Sequence, residues 1–130
     1  MTETIGTLLT DWSEIQIQAH SDIPVLFVSG AQGIGKSTAL AEIERHFEGR
    51  LVILSLDDFY LTKAERRALA DRIHPLFEVR GPPGTHDIAF LRQAIDALRH
   101  ATSETKVELP KFEKRIEDRD PKDHWTCIKG

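Results

Sequence analysis

The amino-acid sequence predicts an α/β protein built on a doubly wound parallel sheet with helices on both faces. Two short apolar runs, residues 25–28 and 51–56, are typical of central parallel strands, which are buried on both faces. Helical patterns precede, separate and follow these runs, as expected where a helix connects one parallel strand to the next. The chain of 130 residues is long enough for one domain with a modest core.

The N-terminal elements follow from hydrophobic spacing. Residues 3–19 are predicted to form an amphipathic helix because apolar side chains recur every three or four positions. These side chains are Ile5, Leu8, Leu9, Trp12 and Ile15. Residues 1–22 are therefore assigned to an N-terminal helical segment and residues 23–130 to one domain. After the first strand, a second helix is predicted to begin at Ser37 and to stop near Gly49.

The middle of the chain contains a helix signal and a loop signal. Thr62 and Glu65 have the Thr-x-x-Glu spacing of a capping box, which predicts a helix over residues 63–72. Residues 73–86 contain three prolines and two glycines, and this composition predicts a loop.

The last third of the chain is predicted to be less regular. A helix over residues 88–98 has an apolar face and either Thr85 or Asp87 as its cap. Residues 106–112 favour a short edge strand, and the charged residues 113–125 favour a loop.

Two central strands are fewer than an open α/β sheet normally has. The last residues, WTCIKG, show no terminal element. We therefore expect this sequence to be the N-terminal part of a longer protein, with the C-terminal half of the domain that begins at residue 23 absent from these residues.

Composition excludes several classes of protein. The net charge of −4 argues against a general nucleic-acid binder, and no apolar run approaches the length of a membrane span. The single cysteine, Cys127, suits a reducing compartment, and the acidic N-terminus does not resemble a secretory signal. These features predict a cytoplasmic protein without a nucleic-acid or membrane partner, and they leave its oligomeric state open.

Residues 30–37, GAQGIGKS, match the phosphate-loop pattern G-x-x-x-x-G-K-[ST]. The glycines leave space for backbone N–H groups to converge on phosphate, and the following helix points its positive end at the anion. Lys36 is predicted to neutralise phosphate oxygens during catalysis, and Ser37 to bind Mg²⁺. The predicted ATP contacts are Gly30, Ala31, Gln32, Gly33, Ile34, Gly35, Lys36, Ser37 and Thr38.

This match places the protein in the P-loop NTPase fold class. The pattern occurs where it must, after an apolar strand and before a helix. One alternative is a glycine-rich turn with an incidental lysine. A dinucleotide-binding fingerprint fits poorly, because Thr38 stands where glycine or alanine is required.

Two adjacent carboxylates, Asp57 and Asp58, follow the second predicted strand. Ligands of doubly wound sheets bind beyond the carboxyl ends of the strands, so both are predicted to lie at the edge that carries the phosphate loop. Asp57 is predicted to be the general base for a substrate hydroxyl, and Asp58 to support the metal. The alternative for each aspartate is a cap of the loop after the strand.

Several blocks together resemble the glycerate-kinase-like group of P-loop kinases, which is related to uridine kinase, pantothenate kinase and phosphoribulokinase. These blocks are GAQGIGKST, LSLDDFYLT, HPLFEVRGPPGTHD and LPKFEKRIEDR. The resemblance extends from about residue 23 to residue 125, and the DDFYLT and RGPPGTHD blocks are the specific ones.

The resemblance implies roles for individual residues. Asp57 corresponds to the catalytic base of the group, and the other implied residues belong to the acceptor site. These are Tyr60, Arg80, His86, Asp87, Lys111 and Arg119. A guanidinium pairs a carboxylate with two hydrogen bonds, so Arg80 would suit glycerate or a similar hydroxy acid. Members of the group are about twice as long and carry an acidic strand end and a basic lid that have no counterpart in these residues.

Three functions are consistent with the sequence. The favoured one is an ATP-dependent kinase that phosphorylates a small hydroxyl compound. The second is a nucleotide-binding module without transfer activity, truncated or regulatory. The third, an ATPase acting on a macromolecule, is disfavoured by the acceptor-like loop at residues 80–87 and by the lack of a basic face.

Overall fold

A computed structural model describes residues 4–20, 22–30 and 33–129. The chain divides into two compact units, residues 1–53 and residues 54–130. Among the described residues, the first unit contains two α-helices, and the second contains two α-helices, short 3₁₀ turns and two small sheets.

The first unit consists of helix α1, Ile5–Ala19, packed against helix α2, Lys36–Phe47. Helix α1 starts at the cap Thr4, whose hydroxyl accepts the Thr7 N–H. Helix α2 ends before Gly49, whose φ of 77° continues the chain in the left-handed region. Both helices are therefore close to their predicted bounds.

The face of α1 that packs against α2 is not the predicted one. The buried residues of α1 are Gly6 and Ser13, whereas Leu8, Trp12 and Ile15 are exposed. Small side chains allow two helix axes to approach closely, so Gly6 and Ser13 can form the contact surface although they are not apolar. The hydrophobic stripe identifies the helix but not the face that it buries here.

Helices α3, Lys63–Arg72, and α4, Ile88–Arg99, belong to the second unit. Helix α3 begins with the predicted capping box, in which Thr62 and Glu65 each accept a hydrogen bond from the other's backbone N–H. Helix α4 is capped by Asp87, whose carboxylate accepts the Phe90 N–H. Both helices start and stop within a residue of the bounds that the sequence predicts.

The strands of the second unit form two antiparallel pairs. Strand β1, Lys106–Leu109, pairs with β4, Thr126–Lys129, and β2, Phe112–Glu113, pairs with β3, Asp118–Arg119. One face of β1 packs against α4 in the core of the unit. The buried members of this core are Phe59, Ala94, Val107 and Leu109.

The two predicted central strands are not strands in the described residues. Residues 22–30 and 51–55 have no regular secondary structure, and Leu56–Asp58 form a 3₁₀ turn. Phe27 in the first run is 81% exposed. Apolar composition predicts burial, but a strand also needs a neighbour for its hydrogen bonds, and the described residues provide none for either run. The described residues therefore do not form a doubly wound sheet.

The C-terminal region is more regular than predicted. Residues 113–125, predicted as a loop, include most of the β2–β3 hairpin and a 3₁₀ turn at Lys122–His124. The final residues, predicted to lack an element, contain β4. These strands have two to four residues each, too short for a periodic pattern to reveal them. Throughout residues 4–20, 22–30 and 33–129, every helix is too short or too polar to cross a membrane.

Candidate functional site

The glycine-rich segment leads into α2 through left-handed backbone. Gly33 and Gly35 have φ values of 82° and 87°, which other residues adopt only with strain. A Cβ at Gly30 would meet only the end of the Ile34 side chain, which is exposed and can move aside. The predicted contacts Ala31 and Gln32 lie outside the described residues.

Lys36 and Ser37 begin α2, as the phosphate-loop pattern requires. Nζ of Lys36 donates to the Gly30 carbonyl at 3.2 Å, so the ammonium reaches back across the loop. Ser37 and Thr38 are exposed in the first helical turn, which contains no acidic residue. The first N–H groups of a helix lack intrahelical partners and carry partial positive charge. This end of α2 can therefore bind an anion with backbone amides, an ammonium and a hydroxyl.

The two adjacent aspartates are used differently. Oδ1 of Asp58 accepts the Phe112 N–H at 3.1 Å and so connects the 3₁₀ turn to strand β2. The Asp57 side chain is 59% exposed, and its Oδ2 lies 3.6 Å from Nζ of Lys114. Asp57 is thus open to a ligand, whereas one oxygen of Asp58 is committed to the fold.

Tyr60 is buried beside Asp57. Its ring stacks on the His86 imidazole with centroids 4.3 Å apart, and the two residues form an antiparallel backbone bridge. Burial raises the pKa of Tyr60, the Asp57 carboxylate raises it further, and the Arg80 guanidinium partly opposes both. The Tyr60 hydroxyl therefore stays protonated at neutral pH and interacts with both charged groups.

Arg80 lies at the start of a loop that is held by hydrogen bonds of the buried Thr85 hydroxyl. Its Nε lies 3.0 Å from Oε2 of Glu117, although the angle is outside hydrogen-bond geometry. The Thr85 hydroxyl is fully buried, donates to the Pro82 carbonyl at 2.7 Å and accepts the Gly81 N–H at 3.1 Å. The loop that carries Arg80 and His86 is therefore held by an internal hydroxyl as well as by the stacked ring.

Arg119 and Asp87 contact each other. Nη2 of Arg119 donates to Oδ2 of Asp87 at 3.2 Å and to the Tyr60 carbonyl at 3.0 Å. The guanidinium also lies over the Phe90 ring, 5.0 Å from its centroid. Both side chains are mostly buried. This arrangement ties the backbone at Tyr60 to the first turn of α4.

Lys111 stands apart from these residues. It is exposed, and its backbone carbonyl accepts the Asp120 N–H at 2.7 Å. Within the described part of the chain, its ammonium forms no ion pair. The structure thus brings together Asp57, Tyr60, Arg80, His86, Asp87 and Arg119, but it does not show Lys111 in contact with them.

Arg66 is a residue that sequence reasoning missed. It is 1% exposed and donates hydrogen bonds to the carbonyls of Leu61, Glu78 and Glu117. Its guanidinium also lies 5.5 Å from the centroid of the Phe112 ring. Burial lowers the pKa of Arg66. Its burial could have been predicted from helical spacing. Arg66 lies one helical turn before Leu69 and Ala70, and these two residues form the partly buried face of α3.

Lys114 is the second missed residue. It follows strand β2 directly, at the start of the turn that connects β2 to β3. Its ammonium lies 3.6 Å from Oδ2 of Asp57, a proximity that a loop prediction for residues 113–125 does not reveal.

Similar proteins include a chloroplastic D-glycerate 3-kinase from Arabidopsis thaliana, 32% identical over 139 residues. That alignment covers 92% of this chain and 30% of the relative. An uncharacterized kinase from Schizosaccharomyces pombe, mug58, is 39% identical over 95 residues, with 69% of this chain and 34% of the relative covered. No family model matches the chain.

The fold is also found in a solved structure. D-glycerate 3-kinase from Cryptococcus neoformans matches with a TM-score of 0.79 and 27% identity, over 99% of this chain and 49% of that protein. The chain is a homologue of the glycerate-kinase-like P-loop kinases. It spans about a third of the length of the curated relatives and about half of the solved one. The resemblance inferred from the sequence motifs is thereby confirmed.

Proposed function

We propose that this protein takes part in ATP-dependent phosphoryl transfer to a hydroxyl of a small metabolite, with a hydroxy acid such as glycerate favoured. The observation that carries the proposal is the exposed Asp57 carboxylate, which lies 3.6 Å from the Lys114 ammonium in the turn that leads to the buried Tyr60. A base, a hydrogen-bonding hydroxyl and a cation are the groups that binding and deprotonating an anionic alcohol requires. Homology to D-glycerate 3-kinases supports the choice of acceptor.

On the acceptor side, Asp57 accepts the proton of the substrate hydroxyl as that oxygen forms a bond to the γ-phosphorus. The bond between the γ-phosphorus and the β,γ-bridging oxygen breaks, and ADP leaves with the electron pair. Tyr60, held by His86 and by the Arg119 contact with its carbonyl, orients the hydroxyl. Arg80 pairs with the carboxylate of the acceptor.

On the nucleotide side, the amides at the start of α2 and the Lys36 ammonium bind the β- and γ-phosphates. The exposed Ser37 hydroxyl is an oxygen donor of the kind that Mg²⁺ prefers. Asp58, whose Oδ1 accepts the Phe112 N–H, is proposed to support the metal through its second carboxylate oxygen. When bound, Mg²⁺ neutralises charge that develops on the phosphate oxygens.

We also propose that the P-loop kinase fold of the whole protein contains a doubly wound parallel sheet. The exposed apolar run that includes Val25, Phe27 and Val28 supports this, because these side chains suit a strand covered on both faces.

We further propose a reducing, cytoplasmic location for the protein, which its single cysteine, Cys127, supports.

The test is the substitution Asp57→Asn, assayed with D-glycerate and MgATP. Loss of a general base should lower kcat by about 10²–10⁴-fold while the affinity for MgATP changes little. Asp71→Asn, at an exposed position on α3, is the matched control and should change neither quantity. Unchanged turnover in Asp57→Asn would remove Asp57 from the mechanism. Binding of MgATP by the wild type without transfer to any alcohol would favour a nucleotide-binding module.

A further inference from the structure

We propose that Lys114 binds the carboxylate of the acceptor and so selects hydroxy acids over neutral alcohols. The inference rests on the proposed function and extends it to a residue of the LPKFEKRIEDR block to which the resemblance assigns no role. Its starting point is the distance of 3.6 Å between Nζ of Lys114 and Oδ2 of Asp57.

The pair of Lys114 and Asp57 is accessible to a ligand. The two side chains are 58% and 59% exposed, and an ion pair so open to water contributes little to stability. A group that does little for the fold can exchange its partner readily. A bound carboxylate could replace Asp57 as the partner of Lys114, leaving Asp57 to accept a hydroxyl proton.

The hairpin holds Lys114 in place at this position. The N–H of Phe112, two residues earlier, donates to Asp58, and the Phe112 ring packs against Tyr60 with centroids 5.2 Å apart. On strand β3, Oδ1 of Asp118 accepts the Lys63 N–H at 2.9 Å. Strand β2 is therefore anchored to the turn that carries the candidate base, strand β3 is anchored to the start of α3, and Lys114 lies next to Asp57.

The geometry suits a compact acceptor. A hydroxyl hydrogen-bonded to Asp57 lies within a few ångströms of Lys114, so the anionic group must be separated from the hydroxyl by only one or two carbon atoms. D-Glycerate meets this requirement, and glycerol is the neutral analogue that lacks the carboxylate. Lys114 and Arg80 would approach the carboxylate as two cations, and charged groups contribute the stronger hydrogen bonds.

The experiment measures steady-state kinetics and calorimetric binding of the full chain with D-glycerate and with glycerol. Lys114→Met should raise the KM and the Kd for D-glycerate by about 10- to 100-fold, as expected for loss of one charged hydrogen bond. The kcat, the KM for MgATP and the weak turnover of glycerol should stay within about threefold of the wild type. Lys114→Arg should restore most of the affinity.

The matched control is Lys122→Met. Lys122 also forms an exposed pair with a carboxylate, 3.0 Å from Glu108, but it lies beside the β1–β4 sheet. This variant should behave as the wild type with both acceptors. An equal loss in the control would mean that general surface charge, not the position of Lys114, governs binding.

Other outcomes separate the two proposals. If the wild type transfers phosphate to D-glycerate and Lys114→Met keeps the same KM, the inference is wrong and the proposed function stands. If D-glycerate binds with the predicted dependence on Lys114 but no phosphate is transferred, the inference stands and the proposed function is wrong. An equal loss of glycerol turnover in Lys114→Met, or a wild type that does not bind D-glycerate, overturns the inference.

Discussion

Replacement of Arg66 by methionine should destabilise the second unit strongly. The side chain is 1% exposed, and its three hydrogen bonds go to backbone carbonyls of three separate segments. Methionine fills most of the same volume, so the variant removes the hydrogen bonds without leaving a large cavity. The three carbonyls, at Leu61, Glu78 and Glu117, would lose a buried donor.

The magnitude follows from two opposing terms. Hydrogen bonds from a charged donor contribute about 1.5–3 kcal/mol each, so three of them set a ceiling of about 4.5–9 kcal/mol. Removing a guanidinium from the interior returns several kcal/mol of desolvation free energy. The net loss should be about 3–5 kcal/mol, because each buried carbonyl left without a donor costs about 1–3 kcal/mol and the desolvation term returns part of the total. That is a large fraction of the roughly 5–15 kcal/mol by which a domain is stable.

The assay is urea unfolding followed by tryptophan fluorescence. Trp125, the tryptophan of the second unit, packs edge-on against Phe90, so a Trp12→Phe background makes the signal specific to this unit. The control is Arg67→Met. Arg67 is 62% exposed and pairs with Glu78 at 3.7 Å, so its loss should change the free energy of unfolding by less than about 1 kcal/mol. A loss below about 1 kcal/mol in Arg66→Met as well would refute the reasoning.

Two further predictions concern pH and the glycine-rich loop. Tyr60 is the single tyrosine, and its raised pKa means that the folded state holds the phenolic proton more tightly than the unfolded state. The contribution of this proton to stability should therefore be complete below about pH 10 and should be lost as the pH rises through the folded-state pKa. Urea midpoints measured against pH should show this loss in the wild type but not in Tyr60→Phe. Identical pH profiles of the two proteins would contradict the prediction. Gly35→Ala and Gly49→Ala each force alanine to a φ near 80° and should each lower stability by about 1–2 kcal/mol. Only Gly35→Ala should weaken MgATP binding in calorimetry, and equal affinities would argue against the loop as the phosphate site.

The sequence predicts some elements well because their signals are local. The capping box at Thr62 and Glu65, the cap Asp87 and the stop at Gly49 each depend on residues within one helical turn, and the structure has all of them. Local chemistry of this kind survives whatever the rest of the chain does. The phosphate-loop pattern and the resemblance to kinases are local signals in the same sense.

The predictions that failed all depend on distant partners. An apolar run becomes a strand only when another strand supplies its hydrogen bonds, and residues 25–28 have no such neighbour within the described chain. The β2–β3 hairpin shows the reverse case. It has two residues in each strand, yet Asp58 and Arg66 bind its backbone from more than forty residues away. No window of sequence contains that information.

The two ion pairs near Tyr60 differ in burial, and this difference decides which pair a ligand can separate more easily. Arg119 is engaged by Asp87 in a mostly buried pair. Separating two such charges leaves one of them unpaired in a poorly solvated site, which is expensive. Asp57 and Lys114 are open to water, so their separation costs little. If an acceptor binds here as proposed, we expect it to replace the exposed pair while the buried pair keeps Tyr60 in position.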